Sequence, residues 1–405
     1  MPTKGFAPVP TASKRPTITP TPALDAQDVQ AKWLSYFDDL EDPRHPKGTL
    51  HPFWSVVIIG VLATIGGATG WEDIEVYAEG QAQWLETFLD LPWGILKADC
   101  YRRVFVQIKP ETLASYFQRW VSEIVKDTGG QVIPIDGKTI RGSYDRGLQQ
   151  SALHVVSAWA SEHRLMLGQM KVDDKSNEIK AIPALLELLD ISGCIITIDA
   201  MGTQTDIATQ IVTQKADYVL CLKTNHSTLY QQVEGIFEQA IATDFEGFEV
   251  SHDQRVESGH HRREVRKIWV LPVSQLGGLY KQQQWAGLQS VVMVYRKRYL
   301  WNKQTEETQF FLTSLPCDAQ RIGRAIRLHW GIENQLHWVL DVTFREDGSR
   351  IRQGHGPENF TLLRRMAISA LNQETSSKRS TRQKAKLASM NPDYMMKVLA
   401  SVAAK

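Results

Sequence analysis

The chain reads as an α/β protein, a mixed sheet with flanking helices, preceded by a helical region and interrupted by a β-rich insertion. Three observations predict this. Residues 132–141 (VIPIDGKTIR) form a β-branched run with a carboxylate, Asp136, at its centre. Residues 194–202 (CIITIDAMG) repeat the pattern and deliver Asp199. Around them, strand and helix periods follow the order β-β-β-α-β-α-β, the alternation of a sheet with helices packed on it. An Asp inside an apolar run is costly to bury unless something compensates its charge. Two such strands therefore suggest two carboxylates meeting at one sheet edge, although strand-ending aspartates that merely start turns give the same pattern.

Residues 25–127 look helical. The stretch 28–40 (DVQAKWLSYFDDL) has helical spacing, and Asp42-Pro43-Arg44 closes it with a breaker. The most apolar run, 53–65 (FWSVVIIGVLATI), is shorter than the roughly 18 residues of a membrane span and predicts a buried helix. After a bend at 66–70, residues 71–89 read as one helix, and 112–124 as another behind the pair Arg102-Arg103. Helices with arginine pairs suit a DNA-facing domain, and a solvated accessory bundle would look the same. From Gln131 the period changes to strands. These cover 152–160 and 165–172, then a helix at 177–189, the Asp199 strand, a helix at 205–213 and a strand at 218–223. A β-rich insertion spans 245–316, with strands at 266–271, 290–295 and 309–315. Helix resumes from Ala319 to about Val342 and again over 358–371. The resulting domains are 1–24, a Pro/Thr-rich disordered arm; 25–127, helical; 128–244, the first part of the sheet domain; 245–316, the insertion; 317–373, its second part; and 374–405, a basic tail with a short helix at 394–399.

Totals narrow the classes. At 405 residues and 42% hydrophobic the chain can bury a large core in two or three units. A net charge of +1 supplies no general attraction to nucleic acid, so any such affinity comes from local clusters. Cys100, Cys194, Cys221 and Cys317 are scattered without a C-x-x-C pair. That argues against a zinc ribbon and a disulfide framework, and suits a reducing cytoplasm. No export signal or membrane segment is expected.

A third acidic candidate lies on the resumed helix, HWGIENQLHW, where His329, Glu333 and His337 are spaced four apart and share a face. If that face covers the sheet edge, Asp136, Asp199 and Glu333 converge. Hard oxygen ligands of this kind suit Mg²⁺ or Mn²⁺. Two such ions about 3.5–4 Å apart activate an attacking oxygen and stabilise the leaving oxygen of a phosphodiester. Glu346 or Asp347 could serve as the third ligand on spacing, but they approach a glycine turn whereas Glu333 lies within the helix. Zinc on His329 and His337 is disfavoured, because residues eight apart on a helix are about 12 Å apart.

At these residues the chain resembles the DDE insertion-sequence transposases, in the group that includes H-repeat-associated proteins. The likeness runs through Asp42-Pro43-Arg44, IDGKTIRGS at Asp136, DDKSNEIKAIPALL from Asp173 and IDAMGTQ at Asp199. It continues through ADYVLCLKTN, HWGIENQLHWVLDVTFRED from His329 and ENFTLLRRMAISALN from Glu358. The resemblance implies a ribonuclease H-like catalytic domain split by the insertion, with Asp136, Asp199 and Glu333 as the catalytic, metal-binding triad for two Mg²⁺ or Mn²⁺ ions. It implies nicking at element ends, then attack of the freed 3′-hydroxyl on target DNA, without a covalent enzyme–DNA intermediate. The partner is then DNA, with a homodimer pairing two ends, in the bacterial cytoplasm and nucleoid. A catalytically silent DNA-binding relative and a stand-alone metal nuclease are the alternatives.

Distant members carry Tyr, Arg and Lys around the glutamate. Here His329 stands at the Arg position and Leu340 at the Lys position. Lys138, Arg141, Lys223, Arg262, Arg266, His329 and His337 are the candidate DNA contacts, with solvated or charge-balancing roles as the alternative. Trp269, Trp285 and Trp301 suit either base stacking or core packing.

Overall fold

The structure, a computed structural model, describes residues 26–37, 39–46, 49–124, 130–145, 147, 149, 151–172, 178–259 and 262–403. The expected N-terminal arm, 1–24, lies outside the described residues, as does the 173–177 part of the DDKSNEIK motif.

Helices α1 (Ala26–Ser35), α2 (Phe53–Ile65), α3 (Trp71–Gly80), α4 (Ala82–Leu85), α5 (Ala98–Gln107) and α6 (Pro110–Ile124) build the N-terminal region. The apolar run is a helix buried along nearly its whole length, and no described helix is long and apolar enough to cross a membrane. The single helix expected over 71–89 breaks at Gln81, beyond Gly80 at the end of α3.

The sheet contains β1 (Val132–Thr139), β2 (His154–Ala160), β3 (Leu165–Val172), β4 (Ile195–Ile198) and β5 (Asp217–Leu222), with α7 (Glu178–Glu187) and α8 (Thr205–Thr213) between strands. Their order is β3-β2-β1-β4-β5, antiparallel from β3 to β1 and parallel from β1 to β5. That mixed arrangement with flanking helices is the ribonuclease H-like fold expected from the sequence. After β5 comes α9 (Ser227–Ala242), then β6 (Ser251–Gly259), β7 (Arg262–Pro272), β8 (Ser290–Tyr299) and β9 (Gln304–Thr313). The insertion does not stand apart: β9 pairs antiparallel with β5, so all nine strands form one sheet ending in β9-β8-β7-β6.

The chain then forms α10 (Ala319–Gly331), a π-helical turn at Ile332–His337, α11 (Trp338–Phe344) and α12 (Gly356–Gln373). Residues 374–405, expected as a basic tail, carry α13 (Thr381–Met390) and α14 (Pro392–Ala403). The Lys384 ammonium is buried against the carbonyls of Leu371 (3.0 Å) and Glu374, and Trp33 Nε1 donates to Leu399 O at 3.1 Å. A basic stretch can pack this way because a lysine stem is apolar and its head caps the carbonyl end of a neighbouring helix. One apolar core runs from Val29 in α1 to Val402 in α14.

Helix α12 is the centre of that core. Asn359 Nδ2 donates to Phe105 O (2.7 Å) and Ile108 O (2.8 Å), tying it to α5. Arg364 donates to Thr69 O at 3.2 Å and Ser349 Oγ at 3.1 Å. Arg365 Nη1 lies 2.7 Å from Glu346 Oε1, and both side chains are wholly buried. Breaking a buried pair strands one charge away from water. Glu346→Ala is therefore expected to lower the unfolding free energy by about 3–5 kcal/mol in denaturant titrations; a loss below about 1 kcal/mol would show the pair to be replaceable.

Candidate active site

Alternation along β1 and β4 decides where the carboxylates point. Ile133, Ile135, Ile196 and Ile198 belong to the large core, whereas Val132 and Ile195 belong to the smaller core capped by Ile322, Ala325 and Ile326 of α10. A strand's period of two puts Asp136 with Val132, and Asp199 with Ile195, on the α10 side. The parallel pairing runs to Ile135 opposite Ile198, so the next residues, Asp136 and Asp199, are neighbours.

Helix α10 starts at Asp318, whose Oδ1 accepts from the backbone N–H groups of Gln320 and Arg321 at 3.0 Å. It lies across the sheet and holds His329 against β4, with Nδ1 2.9 Å from Thr197 Oγ1. The π turn follows and presents Glu333 and His337. His337 Nδ1 sits 3.2 Å from Glu333 Oε2 and 3.5 Å from Asp136 Oδ2. Ligand atoms of Asp136, Glu333 and His337 all lie within 4.8 Å of one another. Asp199 and His329 are not members of that group. Asp199 Oδ1 accepts instead from the N–H groups of Met201 (3.1 Å) and Gly202 (3.3 Å). Glu333 remains 59% exposed at its side chain, whereas His337 is buried.

Burial pushes the Asp136 carboxyl up to about 6, and the negative charges of Asp199 and Glu333 push the same way. His337 and the Gly137 N–H, 2.9 Å from Asp136 Oδ1, oppose the rise. The hydrogen bond from His337 holds Glu333 below the usual carboxylate range. Burial likewise lowers the pKa of His329. A cation fits this cluster by its chemistry. Two carboxylates and an imidazole nitrogen, His337 Nδ1, face one point.

Two residues that the sequence did not single out pack against β1 beside Asp136. His154 hydrogen-bonds Thr139 Oγ1 at 2.7 Å through Nδ1, and Glu178 Oε1 through Nε2. A Cβ at Gly137 would lie 2.5 Å from Glu178 Oε1 and 2.7 Å from His154 Nε2. Glycine after Asp136 therefore lets this buried pair close against β1. The available signal was Glu178 within the NEIKAIPALL stretch, where it reads as an ordinary first-turn acid.

The other candidates separate. Lys138 is committed to Asp341 (2.7 Å) and Asp347 (3.4 Å), and Arg141, largely exposed, lies 3.5 Å from Asp347. Glu346 and Asp347, the rival third ligands, are thus paired to Arg365 and to Lys138 with Arg141. Lys223 is exposed and lines a cavity of about 100 Å³ beside Asp199, together with Cys221, Phe311 and His329. Arg262 is exposed at the start of β7, but Arg266 is buried and paired with Glu264, which Arg298 also contacts at 3.0 Å. The inward phase of β7 (Glu264, Arg266, Ile268, Val270) explains this difference. Trp285 is buried and Trp269 stacks on Phe245, while Trp301 is 89% exposed between β8 and β9.

Comparison with known proteins decides the family. The family profile described as "Transposase DDE domain" matches residues 127–370, and one described as "DDE_Tnp_1-associated" matches 34–121. The chain belongs to the DDE transposase family. It is 36% identical over 371 residues to "Putative transposase YncI" of Escherichia coli O157:H7, covering 91% of this chain and 94% of that one. It is 34% identical over 377 residues to "H repeat-associated putative transposase YhhI" of Escherichia coli strain K12, covering 91% and 98%. A solved piggyBac transposase synaptic complex with hairpin DNA aligns with 93% of this chain and 78% of its own at 11% identity and a TM-score of 0.40, too loose to bear on the fold. Dependence on a divalent metal comes with the DDE family.

In the metal-free transposase, a carboxyl held near 6 binds its proton more tightly folded than unfolded. Stability therefore falls as pH rises from about 4 to about 6. Asp136→Asn, which cannot ionise, is expected to stabilise the chelator-treated protein at pH 7.5 by roughly 2–3 kcal/mol, with no gain near pH 4. Equal melting temperatures at pH 7.5 would contradict the cost of burying the Asp136 carboxylate.

Proposed function

We propose that this transposase cuts DNA at the ends of its element and joins the freed 3′-hydroxyls to target DNA, with Asp136, Asp199 and Glu333 as catalytic carboxylates. The observation that carries the reading is the β1–β4 register, which makes Asp136 and Asp199 neighbours beneath the helix bearing Glu333. Those three residues would hold Mg²⁺ or Mn²⁺, two ions per site. When bound, such ions supply charge stabilisation at the phosphodiester and a lowered pKa for the attacking oxygen.

The protein's own contribution is positioning. The Gly137 N–H fixes one oxygen of Asp136 and leaves the other toward His337. The Met201 and Gly202 N–H groups fix one oxygen of Asp199. His329 fastens α10 to β4 through Thr197, which sets the height of the following turn above the sheet. Lys223, Arg141 and Arg262 are exposed cations on or beyond this face and serve as phosphate contacts. Lys138 and Arg266 are held in ion pairs and keep the sheet face together. Pairing two element ends requires two copies of the site, so the active form on bacterial DNA is a homodimer.

Asp136→Ala, Asp199→Ala and Glu333→Ala are each expected to abolish nicking and strand transfer on DNA carrying the element's ends, while end binding in gel shifts changes less than about threefold. Cleavage retained by all three variants would reject the assignment.

A further inference from the structure

We infer that His337 is a direct nitrogen ligand of the divalent ion held by Asp136 and Glu333, making this a mixed oxygen–nitrogen centre. The inference rests on the metal-dependent reading above and goes beyond its three carboxylates. His337 is buried, and its Nδ1 stands 3.2 Å from Glu333 Oε2 and 3.5 Å from Asp136 Oδ2. An ion with bonds of about 2.1 Å holds adjacent ligands about 3.0 Å apart in an octahedron and about 3.4 Å apart in a tetrahedron. The two separations from His337 match ligands around a shared ion, and all three donor atoms lie within 4.8 Å of one another.

The charge balance points the same way. A proton on Nδ1 can be given fully to one carboxylate, yet two carboxylates face this nitrogen. Lys138 is ion-paired with Asp341 and Asp347, and its field reaches Glu333 only as a minor contribution. A divalent ion at the common point satisfies all three donors. The π turn brings His337 to that point, and such turns are concentrated at functional sites. Imidazole nitrogen suits borderline transition ions better than Mg²⁺, so the centre should favour Mn²⁺ over Mg²⁺ more strongly than an all-oxygen site.

Pulsed electron paramagnetic resonance on the full chain titrated with Mn²⁺ alone tests this. Nitrogen-14 modulation from a directly bound imidazole is expected, and nitrogen-15 labelling of histidine should change its frequencies without any substitution. His337→Gln should remove the modulation and weaken Mn²⁺ binding at least about tenfold, whereas His355→Gln, at an exposed histidine outside the site, should leave the modulation intact. Saturable Mn²⁺ binding with no nitrogen coupling, or coupling that survives His337→Gln, would overturn the inference and leave the carboxylate reading standing. Mn²⁺ binding unaffected by Asp136→Asn would instead overturn the carboxylate reading itself.

Discussion

The parallel register of β1 on β4 is the constraint on which the site depends. Ile135 opposite Ile198 makes Asp136 and Asp199 adjacent, and the period of two turns both to the side covered by α10. A slip of one residue would point one of them into the large core. Burial of the flanking isoleucines on both faces of the sheet therefore determines the position of the charges. The strands read as continuous apolar runs because they are covered on both sides.

Gathering like charges opposes folding, and the surroundings limit how many acids take part. Glu346 is drawn into the core by Arg365, and Asp341 and Asp347 are held by Lys138. Glu178 is held by His154 on the far side of Gly137. Among the described residues, Asp136, Asp199 and Glu333 face α10 without an ion pair to a lysine or arginine, and a divalent ion bound there as proposed would relieve their repulsion. A fold that is more stable when its site is neutralised is the usual consequence of assembling such a centre.

Much of this was legible in the residues. Strand runs carrying Asp136 and Asp199, the helices at 205–213 and from Ala319 to about Val342, and the family motifs point to the ribonuclease H-like layout. What escaped has physical reasons. Strand β6 (SHDQRVESG) lies at the sheet edge with most side chains exposed, so it carries almost no apolar period. Helix α9 fell between two strand readings, although Leu229, Val233, Phe237 and Ala240 mark its buried stripe. Helix α13 looked like a solvated basic run because Lys384 is satisfied by carbonyls distant in sequence. Arg266 resembled an exposed cation because a buried Arg–Glu pair leaves no trace in a strand pattern. The π turn is likewise invisible to a helical period, which puts His337 on Glu333's face but gives no sign that it lies beside Asp136.

The central claim is that the chain brings Asp136, Asp199 and Glu333 close enough to share divalent ions. Anomalous diffraction at the manganese edge, from crystals of the full chain grown with Mn²⁺ and element-end DNA, tests it most directly. The account predicts a peak bonded to carboxylate oxygens of both Asp136 and Glu333, with Asp199 completing the metal site. A map with no peak there, at Mn²⁺ concentrations that support strand transfer, would contradict it.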